Sequence, residues 1–273
     1  MSEGILRALM QLFALLSSPE QDSEEGRNIV RNYLSQQLNQ KLVDEYLALF
    51  DTYKNEQTQK LRDTERIKKR YAASSVRVLR IATKINEQLT YYQKLIVLIQ
   101  LLEFLNSGQG NISAIELEFA NTIAETFNIK ADEYIELYAF ITDDFQSKTP
   151  GQNLLFISGN PEIRNKEGFL FREHLNNELR ILNIHSASLL LIKSKRGTEL
   201  TLNGQVVQPS RIYYMRPGSS LRHKRITPIT YTEVASHFYQ SKQKKPFVFE
   251  ATNISFKYAG SETGLHPMSF RSN

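Results

Sequence analysis

Thr149-Pro150-Gly151 divides this chain into two stretches that cannot fold the same way. Before it, apolar residues recur at the three-to-four spacing of helices; after it, short runs alternate with the period of strands. A Pro-Gly step stops a helix and starts a turn, so the change of period is also a change of architecture. The expected fold is therefore multidomain, α then β. A helical region fills residues 1–148, a small β-domain fills 149–240, and a linker with two further strands fills 241–273.

Charge follows the same division. Residues 1–150 hold 17 Lys and Arg against 21 Asp and Glu, 151–245 hold 15 against 6, and the last 28 residues hold 2 and 2. An acidic half joined to a basic one suggests surfaces with different partners, or two surfaces that attract each other. The chain has no cysteine, which excludes disulfides, thiolate zinc sites and a cysteine nucleophile. Its five histidines, at 174, 185, 223, 237 and 266, have no metal-ligand spacing, and no G-x-S-x-G elbow occurs. No apolar run is long enough to span a membrane. The N-terminal SEGILRALMQLFALLSS lacks a basic leader; Ile5, Leu6, Leu9, Leu12, Phe13 and Leu16 make it an amphipathic helix rather than a signal peptide.

Within the helical region, SSVRVLRIATKINEQL predicts a stripe of Val76, Leu79, Ala82, Ile85 and Leu89, with Ser74 or Ser75 as N-cap. NEQTQKLRDTERIKKRY is polar enough for an exposed helix or a mobile arm, whereas YYQKLIVLIQLLEFLNS is apolar nearly all round, as a central buried helix would be. DEYLALF at 44–50 returns as DEYIELY at 132–138. Ahead of each copy stand an apolar helix (LMQLFALLSS, LIQLLEFLNS), a polar loop and a second helix (EGRNIVRNYL, IELEFANTIAETF), the latter opened by a Ser113-x-x-Glu116 capping box. This is a duplicated bundle. Its halves resemble the TerB-like domain of tellurite-resistance proteins, an all-helical bundle whose loops bind divalent metal. Here those loops read SSPEQDSEEG and SGQGNISAIE, without the Asp-Gly pair of that family. Glu20, Asp22, Glu24 and Glu116 are its remnant, or simply acids that favour helix starts; no metal site is assigned.

NLLFISG, ELRILNI, SLLLIKS, TELTLNG, RIYYM and RITPITY predict six short strands, TEVASHFYQSK a closing helix, and QSKQKKP a linker. Leu202-Asn203-Gly204-Gln205 is a hairpin turn. Six strands in this span fit a small β-sandwich or barrel. TELTLNGQVVQPSRIYYMRPGSSLR resembles the forkhead-associated (FHA) domain, with its Asn-Gly turn, strand and glycine corner. That family reads phosphothreonine through an Arg and a Ser-Arg-x-His loop; the loop motif is missing here. Arg180, Ser186, Ser188 and Asn203 are the matching candidates, Asn203 being equally a turn residue that tolerates a left-handed backbone. Arg216, Arg222, Lys224 and Arg225, with His223 among them, form a candidate anion or phospho-ligand cluster with Asn203. A protein or phosphopeptide partner, or an anionic membrane surface, would suit it; nucleic acid, which needs interleaved stacking aromatics, is not expected.

VFEATNISFKYAGSETGLHPMSF, at the C-terminus, resembles the opening strands of an ATP-binding cassette (ABC) nucleotide-binding domain. The resemblance implies that Tyr258 stands at the adenine-stacking position and that Gly264–Phe270 forms the next strand. No G-x-x-x-x-G-K-[ST] occurs, so the chain itself carries no phosphate-binding loop, no Mg²⁺ site and no expected catalysis or cofactor. Taken together, the resemblances imply the regulatory N-terminal region of an ABC transporter ATP-binding protein at the cytoplasmic side of the inner membrane. Its partners would be downstream nucleotide-binding and transmembrane domains, which would bind ATP and Mg²⁺ in the full-length protein. The alternative is a stand-alone stress-signalling adaptor for a phosphorylated or acidic partner or a divalent metal. Two strands without a larger sheet are marginal in water, so residues 247–273 should hang loosely or pair with a neighbour.

Overall fold

A computed structural model describes residues 2–17, 24–61, 67–107, 112–240, 249–260 and 264–272. Its helices are α1 (Glu3–Leu16), α2 (Glu24–Ser35), α3 (Gln40–Leu61), α4 (Ile67–Asn86), α5 (Tyr91–Asn106), α6 (Ala114–Thr126), α7 (Ala131–Thr142) and α8 (Tyr231–Gln240). The strands are β1 (Leu154–Ser158), β2 (Phe169–Phe171), β3 (Glu178–Ile184), β4 (Leu189–Ser194), β5 (Thr201–Leu202), β6 (Gln205–Val206), β7 (Ile212–Met215), β8 (Ser220–His223), β9 (Ile226–Thr230), β10 (Phe249–Lys257) and β11 (Gly264–Ser272). The helical region followed by β-strand regions is thus present, and all six strand-like runs form strands.

The bundle is built on its two most apolar helices. α1 packs on α3, α4 and α5, while α5 packs on α2, α6 and α7. Thr90 and Gln93 close a capping box that starts α5; Ser113 and Glu116 close the one expected at α6. The repeated segments become α1–α2–α3 and α5–α6–α7, yet the copies do not bury matching positions. Leu47 in α3 is buried, whereas its counterpart Ile135 in α7 is 63% exposed. α7 instead buries Leu137, Phe140 and Ile141, because it must cover the β-domain as well as α5.

Two expectations for α4 need correction. Ser74 and Ser75 lie inside this helix, not at its N-cap, because it begins at Ile67. Residues 68–73 read Lys, Lys, Arg, Tyr, Ala and Ala, mostly strong helix formers that carry it back past the serines. Val76 and Leu79 face solvent at 55% and 48% exposure. The buried stripe is Val78, Ala82, Ile85 and Leu89, which shares its last three members with the predicted one. In the polar stretch at 55–71, α3 runs to Leu61 and residues 62–66 lie outside the described ones.

In the β-domain a five-stranded sheet, ordered β2-β1-β3-β4-β7, faces a four-stranded one, ordered β6-β5-β8-β9. The larger sheet is covered on both sides. Leu179, Ile181, Leu190, Ile192 and Met215 point into the sandwich core with Leu202, Leu221 and Ile229 of the other sheet. Their neighbours Leu182, Ile184, Leu189, Leu191 and Ile212 belong to the same core cluster as the helices. The strict alternation sends every second side chain to each side, so the bundle is the third layer of the sandwich. Sequence reasoning missed two short strands, β2 and β8, neither longer than four residues; β6 is the return strand of the hairpin expected at Asn203-Gly204.

Candidate functional site

The joint between bundle and sheet is where most of the buried charge lies. Lys193 and Arg180 occupy inward positions on β4 and β3, on the helix-facing side, with 4% and 2% exposure. Lys193 Nζ donates to the carbonyls of Ile141 and Asp143 at 2.8 and 2.7 Å, satisfying the open C-terminal end of α7. Burial pushes its pKa down to about 8. Arg180 pairs with the Asp143 carboxylate, bonds Glu178 at 2.6 Å and donates to the Ser147 carbonyl at 2.8 Å. Its guanidinium lies over the rings of Phe145 and Phe156. Arg180 is therefore part of the joint and not on a ligand-reading surface. Ser186 is engaged with Glu133, and Ser188 adopts a left-handed backbone after a short 3-10 turn.

On the same joint, Glu103 of α5 accepts from the Ile212 backbone N–H at 3.0 Å and from Gln100 Nε2 at 2.8 Å. Gln100 also donates to the Tyr214 hydroxyl at 2.8 Å. Burial raises the Glu103 pKa to about 7 despite these donors and the nearby positive charges of Arg211 and Lys193. Two clefts, of about 880 and 240 Å³, include this carboxylate in their lining. Glu103 was missed from sequence, although a signal existed: it is the only acid in the otherwise apolar α5. A half-buried group with a pKa raised toward neutrality beside a cleft is a common mark of function.

The basic cluster is split by the structure. Arg222, Lys224 and Arg225 are exposed along β8 and the turn after it. Arg222 Nε donates to Ser220 Oγ at 2.9 Å, and the Arg225 N–H to His223 Nδ1 at 3.2 Å. Arg216 lies apart, at the corner between β7 and β8, its guanidinium 5.6 Å from the ring of Tyr92 in α5. Asn203 sits next to that corner. Its Oδ1 accepts from the Ser220 N–H, and its Nδ2 donates to Ser219 Oγ, both at 3.1 Å. Asn203 and Gly204 have φ of 51° and 88°, as the type I′ turn requires. Asn203→Ala is expected to lower stability by about 2–3 kcal/mol, through left-handed strain and the lost bonds. Asn203→Gly should cost about 1 kcal/mol less, since it removes only the bonds. Urea unfolding of both variants separates the two causes.

Of the acids in the loops, Glu20 and Asp22 lie outside the described residues, as do Gln109-Gly110-Asn111 and the linker at 241–246. Glu116 is buried and its Oε2 is bonded to the Ser113 N–H and hydroxyl at 2.8 Å. Among the described residues no group of three metal-ligating side chains converges, and no helix is long and apolar enough to cross a membrane.

The C-terminal strands pair with each other as an antiparallel hairpin with two register shifts. Their apolar side chains are open to solvent: Phe249, Phe256 and Tyr258 at 63%, 55% and 63% exposure, with Ile254, Leu265, Met268 and Phe270 also exposed. Tyr258 stands edge-on to Phe256, ring centroids 5.1 Å apart, and presents its ring to solvent. Comparison with protein-family models, with curated proteins and with solved structures returns no match to this chain.

Proposed function

We propose that this chain is the non-catalytic regulatory region of an ABC transporter ATP-binding protein, working at the cytoplasmic side of the inner membrane. The observation that carries this reading is the exposed hairpin. Six large apolar side chains on two strands, and Tyr258 just beyond β10, with no covering layer among the described residues, are far from the composition of a solvent-facing ribbon. A two-stranded sheet is marginal alone, and such a surface is stabilised when further strands and helices cover it. The order TerB-like bundle, FHA-like sandwich, opening ABC strands supplies the covering layer: the nucleotide-binding domain that would continue from the hairpin. In that domain Tyr258 stacks on the adenine of ATP, while the bundle and sandwich form one rigid regulatory body. Phosphate and Mg²⁺ are held by downstream residues.

Reading the native gene beyond the Asn273 codon tests this. A G-x-x-x-x-G-K-[ST] shortly after supports it; a stop codon overturns it. In a chain that carries the motif, Tyr258→Ala is expected to raise KM for ATP by about 5- to 150-fold, given about 1–3 kcal/mol for base–aromatic stacking, with little change in Tm. The second reading, an adaptor for a phosphorylated or acidic partner, is favoured by the exposed row of Arg222, Lys224 and Arg225. A stop codon would leave it standing.

A further inference from the structure

β7 is an edge strand, paired with β4 on one side only. One hydrogen bond fixes the direction of its backbone. The Ile212 N–H is given to Glu103 and so points away from β4. Backbone groups alternate along a strand, so the Tyr214 N–H points outward as well. At the strand's end, the Arg216 N–H is capped by Ser219 Oγ at 3.1 Å. Among the described residues no side chain caps Tyr214, which lies between them. The 880 Å³ cleft runs along this edge, walled by Asn28 and Asn32 of α2, by Gln36 just after it and by Gln205 of the β5–β6 hairpin. Arg211 and Arg216, which flank the two ends of β7, also line it.

We propose that this cleft takes an extended acidic segment of a partner protein, which adds as a strand to β7 and places a carboxylate against each of Arg211 and Arg216. Strand addition to an open edge draws its affinity from main-chain hydrogen bonds and its specificity from the flanking pockets. The walls are rich in amides, which can donate to and accept from a peptide backbone. The charge favours an acid: two arginines face a single carboxylate, Glu103, whose two oxygens are already engaged by Ile212 and Gln100. The five-residue separation of Arg211 and Arg216 spans about 17 Å in extended chain, so two acids five residues apart in the ligand match it. A bilayer does not fit this concave site; it would reach the exposed Arg222, Lys224 and Arg225 first. The inference is independent of how the C-terminal hairpin is covered.

The acetylated, amidated hexapeptide Asp-Val-Thr-Val-Thr-Asp is the probe. It is expected to bind saturably in the sub-millimolar range, with amide shifts confined to residues 212–216 and hydrogen exchange at Tyr214 slowed about tenfold or more. The counterpart with Lys at both ends should not bind, and N-methylation of the Thr at position 3, whose N–H faces β7 in this register, should abolish binding by removing a main-chain donor. Arg216→Glu should weaken binding at least tenfold. No saturable shift at millimolar peptide, equal binding of the Lys-ended peptide, or shifts centred on Arg222–Arg225 would each overturn the proposal. Protection of Tyr214 by phosphatidylserine vesicles but not by the hexapeptide would assign the surface to a membrane and also overturn it.

Discussion

Arg180→Met should lower the stability of the whole chain by about 3–5 kcal/mol, the cost of removing one partner from a buried ion pair. The methionine fills part of the space but leaves the Asp143 carboxylate without its cation and the Ser147 carbonyl without its donor. These two acceptors lie in the segment that leaves α7 and enters β1, so the loss falls on the joint and not on one layer. Arg180→Lys keeps the charge but loses the planar fork, and should recover only part of the deficit. Adding Asp143→Asn to Arg180→Met removes the orphaned charge, and the pair should be less destabilised than the sum of its members. Urea denaturation followed by far-UV circular dichroism reads these three variants and Asp143→Asn alone, which completes the comparison. If Arg180→Met changes stability by less than about 1 kcal/mol, the range of a surface ion pair, the cation is not the clamp described here.

Cooperativity follows from the same geometry. Lys193 and Arg180 reach from adjacent strands of one sheet to the same turn of chain after α7, and Leu182, Ile184, Leu189, Leu191 and Ile212 continue the helical core across the boundary. Bundle and large sheet share one core cluster, so the loss of packing in one layer is carried into the other. Packed layers of this kind shift as units instead of deforming gradually, which is the property the proposed regulatory role would use.

The sequence reading of helices and strands was sound where a single period dominated. TELTLNG and the Asn203-Gly204 turn were legible from local chemistry alone. The joint was not. In ELRILNI and SLLLIKS, Arg180 and Lys193 occupy the alternate positions that a one-sided sheet would send to water. The near-continuous apolar character of both strands was the sign that this sheet is covered on both faces. A positive charge at such a position then has to meet carbonyls or carboxylates, which are supplied by residues 33 to 50 positions earlier in the chain, a distance no local pattern records. The anion cluster failed to converge for the converse reason. Arg216 and Arg222 are close in sequence, but the corner between β7 and β8 turns one toward α5 and leaves the other along the outer sheet. The misassigned stripe on α4 has a simpler cause, a misapplied period: Val78 lies four and seven residues before Ala82 and Ile85, on one helical face, whereas Val76 lies nine before Ile85, on the opposite face.

Glu103→Gln is expected to stabilise the protein by about 2–3 kcal/mol at pH 8 and to leave it nearly unchanged at pH 4.5. The sign follows from the direction of the shift. In the folded chain the carboxyl titrates at about 7, well above its ordinary 4.5, because burial disfavours the charged form. Between those two values the folded state holds a proton that the unfolded state has released, so this group's contribution to stability falls as pH rises from 4.5 to 7 and is constant above. The charges around it are Arg211 and Lys193 from the β-domain and Glu25 lining the adjoining cleft from α2, with the Tyr214 hydroxyl reached through Gln100. The donors at Ile212 and Gln100 and the positive pair oppose the shift, and burial outweighs them. Glutamine keeps an oxygen for the Ile212 N–H, and rotation of the Gln100 amide lets its carbonyl receive the new donor. Urea unfolding free energies of both proteins at pH 4.5, 6, 7 and 8 should diverge with rising pH. Parallel curves would show that Glu103 stays ionised in the folded chain, and that the bundle and the edge of the sheet are joined by a permanent charge instead of a proton-sensitive one.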